Sequence, residues 1–308
     1  MQRKLIKQGG GGLTIYLPKK WIDKNHLKPK QLVNVTEKDN QLIVAEKGAQ
    51  ERKNAEIDIT NMSRNAFIKV VTAYYENGYH EIVINKTEKL IHNPWKNKKK
   101  SVNEEIEFLV NRLIGFEIIS SQKDKTIIRD VSITSPEEFD NILRRIFYLI
   151  LEYQEAAKNF VKNSAKIANN EGYHDNITKF ISFCNRLLSQ NMEKTETEKI
   201  NLHTILALLD KVVDETRYLV RDHNNLEKTK DKQIIYGLVE HFRKFYDFFY
   251  KPSYEIINEL DEKRAKLKLK ALKSEDAIII RFANLLEIVQ ALIKPTLCLS
   301  STKQKFCF

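Results

Sequence analysis

The chain has 308 residues, with 52 Lys and Arg against 41 Asp and Glu, for a net charge of +11. That length accommodates two or three domains with real cores, and the basic excess calls for an acidic partner without choosing between nucleic acid and an anionic membrane. Cys184, Cys298 and Cys307 are odd in number and form no C-x-x-C pair, so neither a disulfide framework nor a zinc site is indicated, and a reducing cytoplasm is expected.

Residues 1–47 alternate apolar and polar with period two. RKLIK and LTIYL predict two strands flanking the run Gly9, Gly10, Gly11 and Gly12. PKKWIDKNHL predicts a short helix with Pro18 in its first turn, where the missing N–H has no intrahelical partner. QLVNVTE and QLIVAE predict a hairpin that turns at Lys38-Asp39-Asn40. Ten basic and four acidic side chains give this segment +6, more than half of the excess in about a sixth of the chain. The glycine run is not a phosphate loop, which needs Lys-Ser/Thr directly after its glycines and then a helix; here a strand follows. Two uses stay open: a flexible linker, or a sharp turn that brings bare backbone close to something bulky.

KGAQERKN reads as a polar linker. Beyond it, EIDIT predicts a strand, Ser63 an N-cap for a helix closed at Gly78, and HEIVIN a second strand. KLIHNPWKNKKKS is expected to be a basic loop; a helix follows over 102–113, ended by Gly115; FEIISS and KTIIRDV predict a hairpin. The order βα-β-α-ββ places helices on one face of a small sheet. PWKNKKK reads as a solvated charge run or as a second phosphate-contacting loop with Trp95 stacking on a base.

From Ser135 the period changes to 3.6, predicting helices over 136–169, 173–190, 195–225, 230–251, 253–273 and 274–294. Two sets of three suggest a duplicated three-helix unit. Arg281, Asn284 and Glu287 interrupt the most apolar segment, so no membrane insertion is expected. Asp210 and Asp214, at i and i+4, share a stripe with His203, Arg217 and Arg221, while Leu202, Leu206, Leu209 and Val213 occupy another face. The stripe is expected to meet solvent or a partner, either as a plain charged face or as oxygen ligands for a hard cation. Phe242, Phe245 and Phe249 are expected in the core, and KRAKLKLKALK (residues 263–273) reads as an exposed basic helix or a site for anionic lipid or acidic protein. With no nucleophile–base pairing, no dinucleotide fingerprint and no His-x-x-x-His, the chain is not expected to be an enzyme.

Residues 3–47 resemble the AbrB/SpoVT/MazE swapped-hairpin DNA-binding domain: a basic strand, a glycine turn, a strand ending in a hydrophobic-Pro-Lys step (LPKKW), a short amphipathic helix, then LKPKQLVNV and a final hairpin. The resemblance implies that Arg3, Lys4, Lys7 and Gln8, with the turn Gly9, Gly10, Gly11 and Gly12, face duplex DNA, and that Lys19 and Lys20 touch phosphates. Tyr16 stands where the family often carries arginine, and Lys30-Gln31 where it carries Gly-Asp. A β-rich unit this short is below the size that folds alone, so a homodimer is expected.

LHTILALLDKVVDETRYLVRDH resembles the third helix of a PhoU repeat, whose acidic-x-x-x-Asp motif takes iron, zinc or magnesium in that family. Asp210 and Asp214 fill it; the second repeat has Ile280 and Asn284 instead. RLIGFEIISSQKDKTIIRDV is similar to the middle segment of archaeal PhoU-type regulators. Together the resemblances imply a multi-domain α+β chain: a swapped-hairpin β domain at 1–50, a small α/β domain at 51–133, an all-α PhoU-like pair of three-helix bundles at 134–298, and a tail at 299–308. They imply a cytoplasmic, homodimeric transcriptional regulator linked to phosphate uptake or sensing, with a divalent or ferric ion on the helices as the cofactor. The alternative is a PhoU-like adaptor that docks on a phosphate transporter or its partner kinase without binding DNA.

Overall fold

The computed structural model describes residues 2–38, 41–46, 53–94, 97–132, 138–163, 167, 169–190, 194–225 and 231–302. The chain divides into two units, residues 1–52 and residues 53–308. In the first, strands β1 (Ile6–Gln8) and β2 (Gly12–Thr14) form a hairpin, helix α1 (Lys19–Lys24) follows, and β3 (Val33–Lys38) pairs antiparallel with β4 (Gln41–Glu46). Pro18 stands at the N-cap of α1, one residue outside its expected place. The turn residues Asp39 and Asn40 lie outside the described residues.

The second unit opens with β5 (Asn54–Asp58), α2 (Arg64–Glu76) and β6 (Glu81–Asn85), a crossover unit in which β5 and β6 pair in parallel. The Ser63 hydroxyl accepts from Ala66 N at 3.3 Å and caps α2, and Gly78 closes it with φ +78°. Helix α3 (Val102–Val110) ends before Gly115, whose φ of +87° favours glycine. Strands β9 (Phe116–Ser121) and β10 (Lys125–Asp130) complete a sheet of order β5-β6-β10-β9. Only alternate residues of β6 are buried, Ile82 and Ile84, as a sheet covered by helices on one face requires.

The expected basic loop is instead a second hairpin, β7 (Leu90–Asn93) with β8 (Lys98–Ser101). Ile91 and Asn93 are buried on one face of it, and that burial fixes a pairing which KKKS alone does not signal. Trp95 lies outside the described residues.

Seven further helices follow among the described residues: α4 (Phe139–Asn163), α5 (Asn170–Ser189), α6 (Glu196–Asn225), α7 (Lys232–Tyr250), α8 (Tyr254–Leu272), α9 (Ala277–Phe282) and α10 (Asn284–Thr302). The single helix expected over 274–294 is two, with Asp276 capping α9 by accepting from Ile278 N at 2.9 Å. Pro295 does not stop α10. Leu292, Ile293 and Leu299 on either side of it are buried, and the hydroxyls of Thr296 and Ser300 donate to Leu292 O and Thr296 O at 2.8 and 3.0 Å. Buried side chains from Ile57 to Leu299 form one continuous cluster, in which Phe242 and Phe245 are fully enclosed as expected and so is Phe248, while Phe249, also expected there, is partly buried against it.

That core also encloses a titratable ring. His241 on α7 is 1% exposed, and among the described residues neither ring nitrogen finds a hydrogen-bond partner. Burial, with Lys263 and Arg264 of α8 nearby, lowers its pKa to about 4. The unfolded chain therefore takes up a proton below pH ~6.5 that the folded chain refuses. Stability is complete above that pH and falls as the pH drops towards 4, by roughly 3 kcal/mol at 1.36 kcal/mol per unit. Urea unfolding at pH 7 and pH 4.5 should show this loss, and His241→Leu should flatten it.

Candidate nucleic-acid interface

The first hairpin pairs Ile6 with Thr14, Lys7 with Leu13 and Gln8 with Gly12, leaving Gly9, Gly10 and Gly11 as the turn. Gly11 N donates to Gly9 O at 2.8 Å. Gly9 and Gly11 have φ of +60° and +115°, where side chains are strained, whereas Gly10 carries no such demand. A Cβ on any of the three would meet nothing within 4 Å. Inside this unit two glycines are therefore needed for backbone conformation, and Gly10 is needed for nothing.

Arg3, Lys4, Lys7, Lys19 and Lys20 are all exposed, and among the described residues none forms an ion pair. Lys7 and Gln8 point to opposite faces of β1 by the alternation of a strand. The Thr14 hydroxyl donates to the Gln8 amide oxygen at 2.6 Å, which leaves the amide nitrogen as the group Gln8 presents. Tyr16, at the place where the resemblance expects arginine, is an exposed aromatic.

Apolar surface is the second property of this unit. Among its described residues none is buried, and it holds nine of the nineteen exposed large hydrophobic side chains, Leu42 among them at 70% exposure. A lone copy thus has no core, so the surface needs a cover.

Lys30 explains what the Lys30-Gln31 departure does. Its φ is +70°, the left-handed region that a glycine adopts at low cost, and the turn is closed by Gln31 N to Lys28 O at 3.1 Å and Lys28 N to Gln31 Oε1 at 2.9 Å. Lys30→Gly should raise the midpoint of denaturant unfolding of residues 1–52 within the full chain, by about 0.5–1 kcal/mol of stability. Lys30→Val should lower it.

The second predicted site lies in the other unit. Asp210 and Asp214 are half-buried and line an open cleft of about 590 Å³ between α2, the end of α3, α5 and α6. Of the expected solvent- or partner-facing stripe, these two aspartates therefore look onto the α/β layer of their own chain, while His203 and Arg221 are exposed as expected. His174 of α5 spans Asp175 and Asp214, with Nδ1 3.0 Å from one carboxylate and Nε2 3.3 Å from the other. Burial opposes the charge on His174, but these hydrogen bonds outweigh it and hold its pKa above the ordinary value. Lys211 donates to Asp214 at 3.1 Å, and Arg112 reaches Asp175 at 3.0 Å. Burial works to raise Asp214, yet the His174 and Lys211 hydrogen bonds keep it below the usual carboxylate range. Asp210 is raised, by burial first and then by Asp214.

This setting does not fit a metal ion. The Asp214 oxygens are taken by His174 and Lys211, and Arg112 and Arg217 add positive charge around the same cleft. Among the described residues no three His, Cys, Asp or Glu side chains converge as ligands. His203 bonds Asn185 at 3.0 Å and Arg221 pairs with Asp222, so neither joins the pair of aspartates.

Residues 6–53 match the family model described as antidote-toxin recognition MazE, bacterial antitoxin. No curated protein and no solved structure matches the chain. The N-terminal unit is therefore similar to the MazE/AbrB type of domain, in agreement with its sequence, and the match ends where the α/β layer begins. Among the described residues no helix is long and apolar enough to cross a membrane.

Proposed function

We propose that the chain is a cytoplasmic transcriptional regulator that binds duplex DNA as a homodimer through residues 1–47, and is a binding protein rather than a catalyst. The observation that carries this reading is the exposed glycine hairpin, set among five exposed cations in a unit that has no buried residue among those described. The apolar faces would be covered by the second copy, and the hairpin turns would approach the DNA backbone. Lys19 and Lys20 at the start of α1 would contact phosphates, and Lys7 and the Gln8 amide nitrogen would reach base edges, where acceptors on guanine and thymine are available. The helical part would link the protein to phosphate uptake or sensing, a reading that rests on the resemblance of the α6 sequence to a PhoU repeat.

Gly10→Val separates the uses of the glycines. The free hairpin accommodates it, so its fold and the dimer should persist, while binding to a mixed-sequence duplex should fall at least about tenfold because the added side chain occupies the approach to the backbone. Fluorescence anisotropy with sedimentation as the control measures both. If Gly10→Val and Lys7→Ala bind DNA as the parent does, the first hairpin is not the DNA contact; if the parent itself does not bind the duplex, the regulator reading fails and the adaptor reading takes its place.

A further inference from the structure

Helix α8 is exposed in adjacent couples along its length: residues 254 and 255, 258 and 259, 261 and 262, 265 and 266, 269 and 270, 272 and 273. The couples form two parallel lines at helical spacing. One line reads Tyr254, Asn258, Asp261, Ala265, Leu269, Leu272. The other reads Glu255, Glu259, Glu262, Lys266, Lys270, Lys273, three anions and then three cations.

The first line carries exposed apolar side chains: Tyr254 is 51% exposed, Leu269 61% and Leu272 70%. The second is self-complementary. Its charges reverse about a point between Glu262 and Lys266, so an antiparallel copy of the same line puts Glu255 opposite Lys273, Glu259 opposite Lys270 and Glu262 opposite Lys266. In an antiparallel pair related by a two-fold axis, the same flank of each helix meets, which is the condition this line satisfies.

We propose that the helical parts of two copies pair through α8, antiparallel about a two-fold axis near Ala265. The small Ala265 lets the helices approach at the axis, and Tyr254 of each copy packs on Leu272 of the other at both ends. This interface is built from the second unit alone and does not depend on DNA binding.

The basic reading of residues 263–273 is weaker than their composition suggests. Lys263 and Arg264 are held by Glu240 and Glu287 at 3.3 and 2.8 Å, and Lys268 by Glu287 at 2.7 Å. The cations left on the exposed line are matched in number by its anions, which favours a second copy over an anionic lipid surface. Within the chain, Glu259 meets Lys244 and Glu262 lies 3.5 Å from Lys266. Both glutamates remain more than half exposed, so these pairs leave them available. A 19-residue helix is about 28 Å long. Pairing along it sits near the lower bound of a specific interface, about 1,000 Å².

Cysteine trapping in the full chain suits an interface of that size. Under mild oxidation Ala265→Cys should form a disulfide-linked dimer rapidly, while Ile200→Cys, likewise exposed but on α6, should not. In the Ala265→Cys background, Lys270→Glu with Lys273→Glu should slow trapping on the order of tenfold or more, because like charges then face each other. Adding Glu255→Lys and Glu259→Lys should restore the rate. A restored rate arises only if the partner is the same line running antiparallel. Equal trapping at residues 200 and 265, no slowing by the double charge reversal, or no rescue by the fourfold change would each overturn the proposal. So would sedimentation of the parent with phosphatidylserine vesicles that Lys270→Glu/Lys273→Glu abolishes, since that result assigns α8 to a membrane surface.

Discussion

Raising the salt from about 50 to about 200 mM should weaken binding of this protein to a mixed-sequence duplex by about 10³–10⁵. The size of the effect follows from counterion release: each phosphate neutralised contributes nearly one unit to the slope of log affinity against log salt, and roughly 6–10 neutralised phosphates produce a fall of that size. One copy offers Arg3, Lys4, Lys7, Lys19 and Lys20, all exposed, and a dimer offers twice as many. None of them is occupied by a carboxylate among the described residues, so none has to surrender an internal pair to bind DNA. Lys19→Ala should reduce the slope by about one for each phosphate that the missing ammonium no longer neutralises, and should weaken all sequences alike. Lys7→Ala, if its ammonium reaches a base edge, should weaken the preferred site about ten- to a hundredfold more than a random one. Anisotropy titrations at several salt concentrations distinguish these outcomes. A slope near zero would remove the electrostatic basis of the regulator reading, whatever the affinity at one salt concentration.

What the sequence made legible is what short-range periodicity and turn chemistry control. The strands of residues 1–47, the Ser63 cap, the Gly78 stop and most of the long helices depend on neighbours a few residues away, and the structure places them close to their expected positions, although α3 ends at Val110, ahead of Gly115, and the last expected helix is two. The β7–β8 hairpin was hidden because Lys98, Lys99 and Lys100 show no alternation; burial of Ile91 and Asn93 creates the pairing. α10 passes through Pro295 because the apolar residues around it are enclosed by other helices. In the candidate sites, the charges and glycines of the first hairpin were visible, but which glycines need a left-handed backbone was not. Asp210 and Asp214 were visible as a pair. Their neighbours are distant in the chain: His174 bonds Asp214, and Arg112, which pairs with Asp175, lines the same cleft, so the charge around the pair was not legible from its own helix.

Arg186 left no signal in the sequence at all, and Arg186→Ala should cost about 3–5 kcal/mol of stability. Its side chain, 2% exposed on the apolar face of α5, donates to Tyr75 O and Tyr79 O at 2.7 and 2.8 Å and to the Asp130 carboxylate at 2.5 Å. The guanidinium also lies over the rings of Tyr75 and Phe116, with centroids at 4.9 and 5.0 Å. One group thereby satisfies carbonyls at the C-terminal end of α2, where the helix dipole favours a cation, and ties them to the end of β10. Beside it Ser189 donates to Glu76 O at 2.6 Å. Removal leaves a largely enclosed carboxylate without its counter-charge, keeping its Ser132 hydrogen bonds, and takes one donor from each of two carbonyls, of which Tyr75 O keeps Gly78 N; the cost of the uncompensated charge exceeds the worth of the pair itself. Arg186→Lys should recover only part of the loss, because a single ammonium cannot span three acceptors in the plane a guanidinium provides. Replacing both partners, Arg186→Met with Asp130→Asn, should be less damaging than Arg186→Ala, since it removes the isolated charge. Denaturant unfolding of the four proteins orders these costs. If Arg186→Ala loses less than about 1 kcal/mol, or if the double replacement is the worst of the set, Arg186 does not join the α/β layer to the helices, and the union rests on the apolar packing of α2 against α5.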